Sequence, residues 1–187
     1  MQKDGPWRFL GLDESNNNQY PAIYVATFSN NETDTHISKR KRIGKTRKGH
    51  NKKRKGHRKI TTMFTSRDYS FLFYSKADNK IIQPYKRIGI ILASLVYNQP
   101  KMDFLKILID GVWVDKNIDF AKSLLKDITG LEKERIEIIT GPQLDKRNKL
   151  VNLADETAHW LYQQSLSNSV NNKHKKQILY NELSDYI

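Results

Sequence analysis

The sequence contains no cysteine, which excludes a disulfide framework and any thiolate-held metal centre. It has no apolar run approaching a membrane span. Its longest apolar patch, residues 88–97 (IGIILASLVY), has the length of a buried helix. The opening residues, MQKDGPWR, lack the apolar stretch of a signal peptide. These absences lead to the expectation of a soluble cytoplasmic protein with no membrane partner. At 187 residues the chain suits one ordinary domain with its own core.

Carboxylates are missing from one stretch in particular. Residues 39–59 (KRKRIGKTRKGHNKKRKGHRK) carry thirteen cations and no acid: Lys39, Arg40, Lys41, Arg42, Lys45, Arg47, Lys48, Lys52, Lys53, Arg54, Lys55, Arg58 and Lys59. The net charge of the whole chain is +13, so this stretch accounts for all of it and the remainder is neutral. A neutral fold carrying one dense basic segment is the pattern of a polyanion-binding element. The segment also lacks aromatics, so base stacking is not its task. It suits phosphate contact, with affinity from counterion release and little sequence readout. If about half its cations engage phosphates, log K should fall with log salt at a slope of about −5 to −6. His50 and His57 have no cysteine near them and make poor zinc ligands. The stretch GKTRKG has neither the spacing nor the preceding strand of a phosphate-binding loop.

Around that insertion the hydrophobic pattern predicts regular elements. Residues 7–13 (WRFLGLD), 21–29 (PAIYVATFS) and 69–75 (YSFLFYS) read as strands. The polar SNNNQY between the first two makes an antiparallel hairpin. Residues 81–97 read as a buried helix, 103–110 (DFLKILID) as a fourth strand, and 116–127 as an amphipathic helix. A short strand follows at 135–140, then a long helix over 144–164. The order β-β-β-α-β-α-β-α predicts an α/β fold: one mixed five-stranded sheet with helices on both faces. Residues 1–165 are expected to form the domain, with the basic insertion at 30–60. Residues 166–187 would be a polar linker and a C-terminal amphipathic helix carrying Ile178, Leu179, Leu183 and Tyr186 on one side.

The acids outside the insertion stand at telling places. Asp13 and Glu14 end the first predicted strand, and Asp110 ends the fourth. If those strands are neighbours, their carboxylates meet where α/β folds bind ligands. Like charges so close need a cation, and clustered carboxylate oxygens suit Mg²⁺ or Mn²⁺. On the long helix, Leu150, Leu153, Ala154, Thr157, Ala158 and Leu161 share one face, and Asp155 lies at its edge, where it can aim at the strand ends. Asp145, at the very start of that helix, is the rival for the same place.

LGLDES resembles the Asp-Glu strand end of type 2 ribonuclease H. NLADETAHWL resembles the final helix of type 1 ribonuclease H, and ILIDG supplies the middle acid. Taken in order over residues 7–165, the pattern resembles the ribonuclease H-like superfamily of metal-dependent nucleases. The resemblance implies a nuclease that cleaves RNA or structured nucleic acid with two Mg²⁺ or Mn²⁺ ions, leaving a 5′-phosphate and a 3′-hydroxyl. Asp13 would bridge the ions, Glu14 and Asp110 would complete one site, and Asp155 the other. His159, one turn beyond Asp155, would serve protons or a phosphate. Two departures stand out. Residues 15–18 (SNNN) replace the glycine-rich loop of the type 2 enzyme, which leaves hybrid specificity open. Residues 81–97 hold no acid, so Glu14 must replace the helix glutamate of the type 1 enzyme. The rival expectation is a non-catalytic nucleic-acid-binding protein on the same fold. A phosphatase is a third possibility, with no nucleophile motif behind it.

Overall fold

The computed structural model describes residues 9–15, 20–32, 69–99, 102–166 and 172–187. Three strands come first: β1 (Phe9–Ser15), β2 (Ala22–Ser29) and β3 (Tyr69–Tyr74). Every residue of β2 is buried, as its run of β-branched and aromatic side chains demands of a strand covered on both faces. Helices α1 (Lys76–Ile81) and α2 (Arg87–Val96) follow, then β4 (Leu105–Asp110), α3 (Asp115–Thr129), β5 (Ile136–Gly141) and α4 (Lys149–Leu166). A 3₁₀ turn, Leu144–Lys146, leads into α4. The basic residues 39–59, Trp7 and most of the SNNN turn lie outside the described residues.

The five strands form one sheet in the order β3-β2-β1-β4-β5. β1 pairs antiparallel with β2 and parallel with β4, and β4 pairs parallel with β5. One face of the sheet packs Leu10, Leu12, Tyr24 and Leu72 against α2 and α3. The other packs Ile23, Val25 and Phe71 against Ala154, Ala158 and Leu161 of α4. The expected mixed sheet with helices on both faces is therefore present.

Three elements differ from the sequence expectation. The helix expected over 144–164 begins only at Lys149, after the separate 3₁₀ turn Leu144–Lys146. The helix expected over 81–97 is broken: α1 ends at Ile81 and α2 begins at Arg87. Pro84 stands in the gap; it has no N–H to donate and forces the preceding residue out of the helical region. α1 is fixed instead by a capping box in which Ser75 and Asp78 exchange side-chain and backbone bonds. The C-terminal segment, expected as an amphipathic helix, forms a short 3₁₀ turn at Asn172–His174, an extended stretch and consecutive turns. Lys176 N–H donates to the Phe71 carbonyl at 2.7 Å, so the segment first covers the free edge of β3. Leu183 then buries completely in the core under α2, with Ile178, Leu179 and Tyr186 beside it. A segment this short has little helix stability of its own, and these tertiary anchors decide its course.

Candidate active site at the ends of the parallel strands

The last paired positions of β1 and β4 are Leu12 and Ile109. The next residues, Asp13 and Asp110, still paired outward with Val25 of β2 and Gly141 of β5, therefore stand where β1 and β4 part. Side chains alternate along a strand. Leu10 and Leu12 join the core under α2, while Gly11 backs onto α4. A Cβ on Gly11 would stand 2.4 Å from the Leu150 carbonyl carbon and 2.6 Å from the Val151 nitrogen. Asp13 shares Gly11's face, and Glu14 shares that of Leu12.

Glycine at position 11 thus lets the start of α4 touch the sheet. Thr27 holds it there, its hydroxyl donating to the Leu150 carbonyl at 2.8 Å. Asn148 caps the helix by accepting the Val151 N–H at 3.1 Å. From Leu150 to Asp155 the helix advances about 7.5 Å, close to the roughly 6.6 Å from Gly11 to Asp13 along the strand. Asp155 is consequently carried to Asp13. On the β4 side, Asp110 Oδ1 accepts the Leu144 N–H at 2.7 Å. That bond fixes the 3₁₀ turn bearing Asp145 to the same end of the sheet.

The electrostatics show the result. The Asp13 carboxyl is pushed up to about 8, first by burial and then by the negative charge of Asp155, with smaller contributions from Asp110 and Asp145. The Glu14 N–H, donating to Asp13 Oδ1 at 2.7 Å, opposes the rise. The side chains acting most strongly on Asp13 are all acids. Asp145 thus accompanies Asp155 rather than excluding it, and Asp155 exerts the larger effect.

Glu14 stands apart from this group. It lies opposite Tyr24 in the β1–β2 register and accepts that residue's hydroxyl hydrogen; burial first, and then the Glu14 charge and this bond, raise the Tyr24 phenol. His159 is exposed and hydrogen-bonded to Gln163 at 2.9 Å. Among the described residues, no three Asp, Glu or His side chains are gathered into a ready metal-binding set. The acids form an electrostatic cluster rather than a closed cage. Their donors are carboxylate oxygens alone, which is the chemistry of a hard divalent ion.

A cavity of about 470 Å³ opens at the same strand ends, lined by Asp13, Glu14, Asp110, Tyr24, Arg87 and Trp113 among others. Sequence reasoning missed the last three. Arg87 carried a faint signal, as a cation beside Lys86 at the head of an apolar run. Trp113 stands three residues beyond Asp110, and nothing in the sequence distinguishes it from a core residue. Tyr24 sits inside a strand whose neighbours are all apolar or hydroxylic.

No protein-family model matches the chain, and no curated protein matches it. Solved structures do. Ribonuclease H2 from Pyrococcus horikoshii is 16% identical, with a TM-score of 0.55 over 86% of this chain and 74% of that one. Ribonuclease HII from Archaeoglobus fulgidus, solved in complex with PCNA, is 13% identical, with a TM-score of 0.54 over the same shares. Bst-RNase HIII in complex with Mn²⁺ is 12% identical, with a TM-score of 0.51 over 89% of this chain and 55% of that one.

Proposed function

We propose, on the premise of the ribonuclease H-like fold that these likenesses show, that the chain is a divalent-metal-dependent nuclease. It hydrolyses phosphodiester bonds of RNA or structured nucleic acid. One observation carries the reading: at the adjacent parallel strand ends, burial and then the negative charges of Asp155, Asp110 and Asp145 push the Asp13 carboxyl up to about 8. A fold gains no stability from such crowding, but a site for a cation does. Asp13, Asp110 and Asp155 would hold Mg²⁺ or Mn²⁺, with Asp145 beside them and Glu14 reaching the same cavity from the other face of β1. When bound, the metal would polarise the phosphate and lower the pKa of the attacking water. Asp110 also orients the turn carrying Asp145 through the Leu144 N–H. The basic residues 39–59 would hold the substrate's phosphates and offset its repulsion from the acids.

The test is cleavage of a labelled single-stranded or hairpin RNA with Mn²⁺. Asp13→Asn and Asp110→Asn should each lower turnover by more than about 100-fold, beyond the usual effect of losing an outer-shell partner, with binding nearly unchanged. Metal-dependent cleavage that survives both substitutions would refute the site. A second reading, a nucleic-acid-binding protein without catalysis, draws support from Glu14's turn toward Tyr24. It predicts salt-sensitive binding and no Mn²⁺-stimulated turnover in the wild-type protein.

A further inference from the structure

We propose that the cavity on the α2 side of β1 takes one unstacked nucleotide of the substrate strand, its base against Trp113 and its phosphate on Arg87. The inference rests on the nuclease reading and adds a substrate class to it: strands with an unpaired nucleotide beside the bond to be cut.

Arg87 supplies the first argument. Its guanidinium lies 6.0 Å from the centre of the Trp113 ring, and its charge acts on the Tyr24 and Tyr74 phenols. Its Nε is buried and, among the described residues, has no hydrogen-bond partner. Arg87 as a whole is half-buried, but a buried N–H donor without an acceptor is costly. A phosphate oxygen is the acceptor whose charge and geometry match it. The cavity that Arg87 lines is also lined by Asp13 and Asp110, so a phosphate held there neighbours the bond that the acids address.

The second argument comes from the chain leaving β4. Gly111 has φ +99, a conformation that turns the backbone out of the strand and that side chains disfavour. The turn displays Val112, 79% exposed, and Val114, 66% exposed, on either side of Trp113. Apolar side chains held in water around a half-buried indole make a surface for the flat face of a base. Glu14, held by the Tyr24 hydroxyl, adds an acceptor for an exocyclic amine or a ribose hydroxyl. The volume, about 470 Å³, lies within the roughly 300–1,000 Å³ of small-ligand sites. A base inside it cannot remain stacked in a duplex.

The experiment measures binding without cleavage, in EDTA and at raised salt, where phosphate contacts of the basic segment weaken. End-labelled single-stranded tetranucleotides of adenosine and of uridine are titrated while fluorescence anisotropy of the label is followed. A blunt-ended duplex with no unpaired nucleotide serves as competitor. Arg87→Ala and Trp113→Leu should each weaken tetranucleotide binding about ten-fold, Trp113→Phe should retain most of it, and the duplex should compete poorly. Wild-type affinity in both Arg87→Ala and Trp113→Leu would overturn the proposal, as would a duplex that competes as well as the single strand. Circular dichroism and thermal melts establish that each variant is folded. If Trp113→Leu fails to fold, the Arg87→Ala and duplex results decide. Because no metal is present, failure here leaves Mn²⁺-dependent cleavage intact, and failure of cleavage leaves this binding result intact.

Discussion

Asp13 keeps its proton to about pH 8 because burial and three neighbouring carboxylates disfavour its charge. Its ordinary value is 3.8, so between about pH 4 and pH 8 the folded protein binds a proton that the unfolded chain has released. Stability of the metal-free protein must therefore fall as pH rises through that window. The loss ends once Asp13 ionises in both states. Asp13→Asn removes this contribution, so in EDTA the variant should melt at a higher temperature than wild type at pH 8 and at nearly the same temperature at pH 4. Thermal melts across the range provide the measurement, and parallel pH profiles of the two proteins would overturn the assignment. Added Mn²⁺ at pH 8 should raise the wild-type melting temperature and leave the variant's almost unchanged.

At the level of elements, the site depends on how closely α4 lies on β1. Gly11→Ala would drive a methyl group to 2.4 Å from the Leu150 carbonyl carbon and 2.6 Å from the Val151 nitrogen. Both are backbone atoms, so α4 must move as a body. The cost should reach or exceed the roughly 1–3 kcal/mol of core overpacking. The shift would carry Asp155 away from Asp13. Thr27→Val is the milder comparison: it removes the 2.8 Å bond to the Leu150 carbonyl at about 1 kcal/mol and leaves the helix in place. Urea unfolding should rank Gly11→Ala as the more damaging, and turnover should follow that order. Equal effects would mean that the close approach does not set the helix position.

Over the whole molecule, charge is divided between a neutral fold and one basic segment, residues 39–59. The fold by itself offers a polyanion an acidic cleft. Long-range attraction must come from the insertion. Deleting residues 39–59 should flatten the salt dependence of nucleic-acid binding from a slope of about −5 to −6 toward zero. Cleavage of short substrates should persist with a higher KM. Fluorescence anisotropy over a salt series checks the first statement and steady-state kinetics the second. A slope unchanged by the deletion would place the phosphate contacts elsewhere.

Strands and helices announced themselves through side-chain period, because a pattern repeating every two or 3.6 residues is local information. That is why Asp13, Glu14 and Asp110 could be set at strand ends, and Asp155 at the edge of an apolar helix face, before any fold was known. The break at Pro84 is equally local, but the apolar pattern continues across it and masks it. What period cannot convey is which neighbour covers each face. Strand alternation turns the adjacent Asp13 and Glu14 to opposite faces, but only the packing of α4 and the pairing with β2 decide that the first meets Asp155 and Asp145 and the second Tyr24. Arg87 and Trp113 meet from separate elements in the same way. Such meetings are fixed by long-range packing, where close approach at one glycine decides which charges share a cleft.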